Sequence, residues 1–185
     1  MKARSRFAII TTTLAALTIS AAAFAADWKL PGTGTVEFAV IGKGATQVTI
    51  KGTTNNVSVK DDGSKIIINV KIDCDGKSCL KTGIGMRDEH MYEHIEAKKH
   101  SKAKLVIDKS KLKPAADKVE GDVPGELTFH GKTKSVTVHY KVSGGEATCT
   151  THFPLSDFDL KPASKMGIST GAEVDITAKL KVGAS

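Results

Sequence analysis

The chain has 185 residues, 40% of them hydrophobic, 25% charged and 5% aromatic, with a formal net charge of +7. That balance describes one compact domain and excludes a disordered chain, and the lack of a long apolar run beyond the N-terminus excludes a polytopic membrane protein. Three cysteines are too few for a disulfide scaffold.

The chain opens with the layout of an export leader. Lys2, Arg4 and Arg6 form a basic start, 7–22 is apolar apart from Thr and Ser, and Ala23-Phe24-Ala25 puts small residues where a signal peptidase reads. An uncleaved anchor is the competing reading, but the stretch is short for a membrane span and holds four threonines. Cleavage after Ala25 leaves a domain over 26–185 and lowers the formal charge from +7 to +4.

Beyond the leader the pattern is period-two alternation, the mark of half-buried strands. Strands are expected at 34–42, with Val36, Phe38 and Val40 on one parity, then at 46–60 and 64–73, joined by Asp61-Asp62-Gly63. Cys74 and Cys79 flank Asp75-Gly76-Lys77-Ser78, a turn-forming stretch, so they are expected to bond in an oxidising compartment. The segment 86–98 breaks the rhythm: Met91 and Ile95 stand at helical spacing, which predicts one helix between the third and fourth strands. Strands follow at 102–109, 119–130, 134–142, 147–155 and 172–182, with His130-Gly131-Lys132 and Gly144-Gly145 at tight joints. Cys149 falls in an alternating stretch and is expected to point inward as a small hydrophobe. The fold expected is all-β, eight antiparallel strands closed into a barrel with a single helix as plug or lid.

Few clusters carry chemistry. His90 and His94 share a helix face at i, i+4, as a metal pair would, and Met86 and Met91 add soft donors. No third ligand is evident, and the residue after His90 is Met91 rather than the Glu of the zinc-protease spacing. A solvated helix face is the plainer reading. Between 98 and 118, eight lysines face only Asp108 and Asp117, a local balance of +6. Solubility and edge protection explain such a face, and docking on an anionic lipid surface is the functional alternative. Nucleic acid is disfavoured by export and by the lack of interleaved aromatics. No Gly-x-Ser-x-Gly elbow and no phosphate-binding glycine loop occurs, so neither an enzyme nor a cofactor is expected.

Two motifs point to a family. The run Thr82-Gly83-Ile84-Gly85-Met86-Arg87-Asp88-Glu89-His90-Met91 is similar to the segment leading into the helix of YceI-like proteins. The run from Gly125-Glu126-Leu127-Thr128-Phe129 through His130-Gly131-Lys132-Thr133-Lys134 to Ser135-Val136-Thr137-Val138 resembles that family's strand-turn-strand signature, and the strand over 171–182 also fits. The likeness covers most of 34–182. Thr35 stands where the family often has Ser, and Cys74 and Cys79 occupy a loop usually without cysteines. The resemblance implies a secreted, periplasmic bacterial protein with a lipocalin-like barrel that holds a polyisoprenoid or another long-chain amphiphile.

The ligand would be lined by the inward parity: Val36, Phe38, Val40, Ile50, Ile68, Val70, Leu105, Ile107, Leu127, Phe129, Val138, Tyr140, Phe153, Ile176 and Leu180. Tyr140, Arg87 and Asp88 are the candidates to orient its head. The partners expected are a long-chain lipid or isoprenoid, an anionic membrane surface touched transiently, and a second copy of the chain. A metal-handling or redox stress protein built on His90, His94, Met86, Met91, Cys74 and Cys79 is the second reading.

Overall fold

The computed structural model describes residues 32–112, 119–165 and 167–181. The expected leader, and residues 113–118 of the lysine-rich segment, lie outside them. The strands are β1 (Gly34–Lys43), β2 (Gln47–Thr54), β3 (Val57–Asp61), β4 (Lys65–Lys71), the short β5 (Asp73–Cys74) and β6 (Lys77–Ser78), and β7 (Lys102–Asp108). They continue with β8 (Val119–Phe129), β9 (Lys132–Ser143), β10 (Glu146–Pro154), the short β11 (Ser164–Lys165) and β12 (Ile168–Lys181). Among the described residues one α-helix, α1, spans Gly85–His94.

The main sheet runs β2-β1-β12-β10-β9-β8-β7-β4-β3, with every pairing antiparallel and β11 added against β12. Two corrections follow. The stretch expected as one strand over 46–60 is two, β2 and β3, so this path has nine strands where eight were expected. The break has a local cause: Thr54 Oγ1 accepts hydrogen bonds from Asn56 N (3.1 Å) and Asn56 Nδ2 (3.4 Å), a side-chain alternative to the ladder. The sheet is also a curled half-barrel in place of a barrel sealed by a ladder. Its two ends are consecutive in the chain and meet through Asn55-Asn56, the Thr33–Ser58 bridge and a 3.0 Å bond from Val59 N to the Gly32 carbonyl.

Antiparallel order sorts the inward residues into two ends. At one end lie the start of β1, the end of β12, the start of β10 and the end of β9, and there Leu180, Ala147, Cys149, Tyr140 and Val123 are buried against one another. Large side chains at this end lie across glycines: Leu180 opposes Gly34, and Tyr140 opposes Gly121. A Cβ on Gly34 would sit 2.5 Å from Leu180 Cδ2, and one on Gly121 would sit 3.2 Å from the Tyr140 hydroxyl. Below the opposite end Phe158 packs edge to face on Phe153 and Phe129, at 5.0 and 5.6 Å, while those two rings are tilted to each other at 6.3 Å.

The helix is fixed at both termini. Asp88, buried, accepts bonds from Thr82 N and Thr82 Oγ1, both 2.7 Å, which ties the incoming loop to the first turn. At the far end Ala97 N reaches the Tyr92 carbonyl and Glu96 N the Glu93 carbonyl, while Glu96 takes a left-handed φ of 48°. That is the Schellman stop, with Glu where glycine is usual. Tyr92 is buried, and its hydroxyl donates to Asp73 Oδ1 (2.8 Å), joining α1 to the β5-β6 hairpin.

The Cys74–Cys79 disulfide crosslinks that hairpin, with Cα atoms 5.5 Å apart. A loop this short gains about 2 kcal/mol from restricting the unfolded chain. The Cys74→Ser/Cys79→Ser variant is therefore expected to lose about that much in urea unfolding, and reduction of the wild type to lose the same. Equal midpoints with and without the crosslink would refute it.

Candidate functional site

At the end away from the Leu180 and Tyr140 layer, the curled sheet and α1 enclose a cavity of about 430 Å³. Its wall runs along β1 from Val36 to Val40 and along β12 from Thr170 to Ala178, and takes in the end of β4, β8 and β10 and the start of β2 and β7, elements that the alternation of strand direction brings together. The helix presents Arg87, Met91 and His94 to it, with His90 and Ile95 on the flanks of the same face. Leu80, Thr82 and Ile84, in the loop before the helix, complete the rim.

Of the residues expected to line a ligand, Val36, Phe38, Val40, Ile50, Ile68, Val70, Arg87, Leu105, Leu127, Phe129, Phe153 and Ile176 lie on the cavity wall. Ile107, Val138, Tyr140 and Leu180 do not: they are buried deeper, toward the packed end. Parity along a strand gives in or out but says nothing of height. Asp88 is off the wall as well, its Oδ1 engaged by Thr82. Sequence reasoning missed Val48, Ile72, Leu80, Ile84, Val174 and Ala178, all on the wall. Val174 and Ala178 share the parity of Ile176 and were legible from it.

Charge is placed unevenly around the mouth. Arg87, His90, His94, Lys104 and Lys165 line the cavity, and among the described residues no carboxylate does. Three large apolar residues are exposed among the described residues, Val48 (48%), Ile84 (50%) and Met86 (58%), and all three are rim residues of this cavity. Phe38 keeps its place on the wall because it crosses Gly52, its partner in the β1–β2 register; any Cβ there would collide with the ring.

Of the second constellation expected from sequence, Met86, His90, Met91 and His94 lie on the cavity wall and Cys74 and Cys79 do not. Cys74 and Cys79 are bonded to each other, and His94 Nε2 lies 2.9 Å from the Lys161 carbonyl. Cys149 is buried as a core residue, and burial pushes its thiol up to about 11, leaving almost no thiolate at neutral pH. Among the described residues, the group of three ligating side chains gathered at one point is a different one: Glu96, His100 and His130. Burial, with His130 beside it, pushes the His100 imidazole below its ordinary value.

On the outer face His152 contacts Asp175 (2.7 Å) and Glu173 (3.0 Å). The Asp175 hydrogen bond holds the imidazolium above its ordinary range. Because the folded value is raised, any stabilisation from this contact is complete below the unfolded value of about 6.5 and disappears as pH rises through the folded one. An NMR titration should place the His152 midpoint above that value, and Asp175→Asn should bring it down. An unchanged midpoint in Asp175→Asn would assign the shift elsewhere.

The comparisons agree with this architecture. The YceI-like domain model matches residues 28–182. The chain belongs to the YceI-like family. A UPF0312 protein of Pseudomonas putida (strain F1) is 33% identical over 116 residues, covering 56% of each chain, so the match spans about half the length of that curated relative. A polyisoprenoid binding domain from Saccharophagus degradans has a similar fold, with a TM-score of 0.59 at 14% identity over 85% of this chain and 100% of that one. Burkholderia cenocepacia BcnA is similar at a TM-score of 0.55 and 19% identity, over 80% of this chain and 96% of its own.

Proposed function

We propose that this YceI-like protein is a periplasmic carrier that holds one long-chain amphiphile, its hydrocarbon in the cavity and an anionic head at the mouth. The observation that carries the reading is the cavity itself: about 430 Å³, walled by aliphatic and phenyl side chains, with basic residues and no described carboxylate at its rim. The volume suits one small ligand. Apolar burial at about 25 cal/mol per Å² supplies the affinity for a chain, and the basic rim selects the head. No step of bond making is needed, so the role is binding and not turnover.

The polyisoprenoid binding of a structural relative supports a chain ligand of this class. The leader pattern and the Cys74–Cys79 disulfide support a periplasmic setting. The exposed Val48, Ile84 and Met86 around the opening suit a mouth that loads from a lipid surface. Transient contact of this kind replaces the lysine-rich segment as the preferred membrane surface, since the apolar groups stand where the ligand must pass.

The test is native mass spectrometry of protein from its source organism, followed by titration with a fatty acid and with its methyl ester. A co-purifying lipid mass, and an acid that binds about tenfold more tightly than the ester in a manner lost in Arg87→Ala, are expected. A bare protein mass together with no saturable uptake of either probe would overturn the carrier. Equal affinities for acid and ester would overturn the anionic head alone.

A further inference from the structure

Outside the cavity wall, three side chains converge from two places far apart in sequence. Glu96 and His100 follow the helix, and His130 sits in the β8–β9 turn. Glu96 Oε2 is 3.6 Å from His100 Nε2 and 3.5 Å from His130 Nε2, and the three ligating atoms lie within 4.8 Å of one another. The two imidazole centroids are 4.5 Å apart.

These separations are too long for charge-assisted hydrogen bonds, which run about 2.7–2.9 Å. The two distances from Glu96 Oε2 match edges of a coordination tetrahedron, since two ligands each about 2.0–2.2 Å from an ion stand about 3.3–3.6 Å apart. The tautomer of His130 fits as well. Its Nδ1 lies 2.9 Å from the Phe158 carbonyl, which can only accept, so Nδ1 carries the proton. Nε2 then carries the lone pair, 3.5 Å from Glu96 Oε2, and it is buried with no hydrogen-bond partner. A backbone carbonyl on Nδ1 is the usual way a metal-ligating imidazole is oriented.

Backbone conformation adds a separate sign. Glu96 and His130 have φ values of 48° and 47°. Glu96 occupies the helix-stop position that glycine fills at no steric cost, and His130 the first turn position that Asn, Asp or Gly favours. Gly131 makes room for the third ligand, because a Cβ there would fall 2.8 Å from His100 Cε1. Left-handed residues with large side chains persist where the side chain is needed.

We propose that Glu96, His100 and His130 bind one divalent transition-metal ion, of which Zn2+ is the type, through Oε2 and the two Nε2 atoms. The N2O donor set suits a borderline ion such as Zn2+ or Co2+ over Ca2+ or Mg2+. The Glu96 side chain is 52% exposed, so a fourth position faces solvent. Lys99 Nζ, 3.4 Å from the same Oε2 and 72% exposed, is free to swing away when the ion enters. None of the three ligands lines the cavity, so this site is independent of the carrier reading.

The experiment is titration of chelator-stripped, untagged protein with Zn2+, and with Co2+ for its visible absorption. One equivalent is expected to bind, with a tetrahedral Co2+ spectrum and a rise in melting temperature on adding Zn2+. Glu96→Gly and His100→Ala are expected to weaken Zn2+ binding by more than about 100-fold. Glu96→Gly should melt no lower than the metal-free wild type, because glycine relieves the left-handed position, so its loss of metal is not a loss of fold. The His90→Ala/His94→Ala variant should bind as the wild type does. Absence of saturable binding, wild-type affinity in folded Glu96→Gly, or loss confined to His90→Ala/His94→Ala would each overturn the proposal.

Discussion

Phe158→Ala is expected to cost about 3–5 kcal/mol, the range for removing a phenyl group from a core that cannot collapse around the gap. Phe158 is the largest fully buried side chain among the described residues, at 0% exposure. Its ring packs edge to face on Phe153 at 5.0 Å and on Phe129 at 5.6 Å, and both partners also form cavity wall. Phe158→Leu keeps most of the volume and should cost clearly less. Urea unfolding of both variants makes the check, and equal losses would show that the edge-to-face contacts and not the filled volume set the value.

A plug in the cavity is the second large effect. Ala103 lies on the wall at the start of β7, next to Lys104. An indole at this position occupies space the ligand chain needs. Excluding about four methylenes at about 0.8 kcal/mol each removes about 3 kcal/mol of binding, a loss of more than a hundredfold. Ala103→Trp should thus weaken uptake of a long-chain fatty acid more than a hundredfold in a fluorescence titration while leaving the unfolding free energy in urea within about 1 kcal/mol of wild type, since the indole enters open volume. Undiminished uptake by folded Ala103→Trp would place the ligand elsewhere.

Much of this architecture is legible from residue order. Alternation such as Val174, Ile176, Ala178 and Leu180 on β12 separates the inner from the outer face, because burial of one face fixes register. Two things escape that reading. Asn55 and Asn56 sit inside a stretch that alternates well enough to look continuous, and only the Thr54 hydroxyl, by capturing Asn56, shows why it breaks. Depth is the other. Leu180 and Ile176 have the same parity, yet one closes the packed end and the other walls the cavity.

Part of the signal for depth lies in the glycines of the packed end. Gly34 faces Leu180 and Gly121 faces Tyr140, each directly across a ladder, whereas the same pairing of Gly52 with Phe38 leaves the ring on the cavity wall. A large residue opposite glycine fills the partner's space, so Leu180 and Tyr140 consume the interior that Ile176 leaves open. The Glu96, His100 and His130 group was hidden for another reason. Ligand searches favour close spacing such as that of His90 and His94, and here His130 is supplied by a turn brought in by the fold.

The β1–β12 ladder carries a kinetic consequence. It joins Gly34 to Leu180, so the first described strand cannot find its main partner until nearly the whole chain is available. The local hairpins β3-β4, β8-β9 and β9-β10 form early at small entropic cost, and the ladder that completes the wall waits on the longest loop closure among the described strands. Non-local pairing of this kind places folding in about the millisecond-to-second range, and makes the union of the first and last described strands the step that creates the cavity.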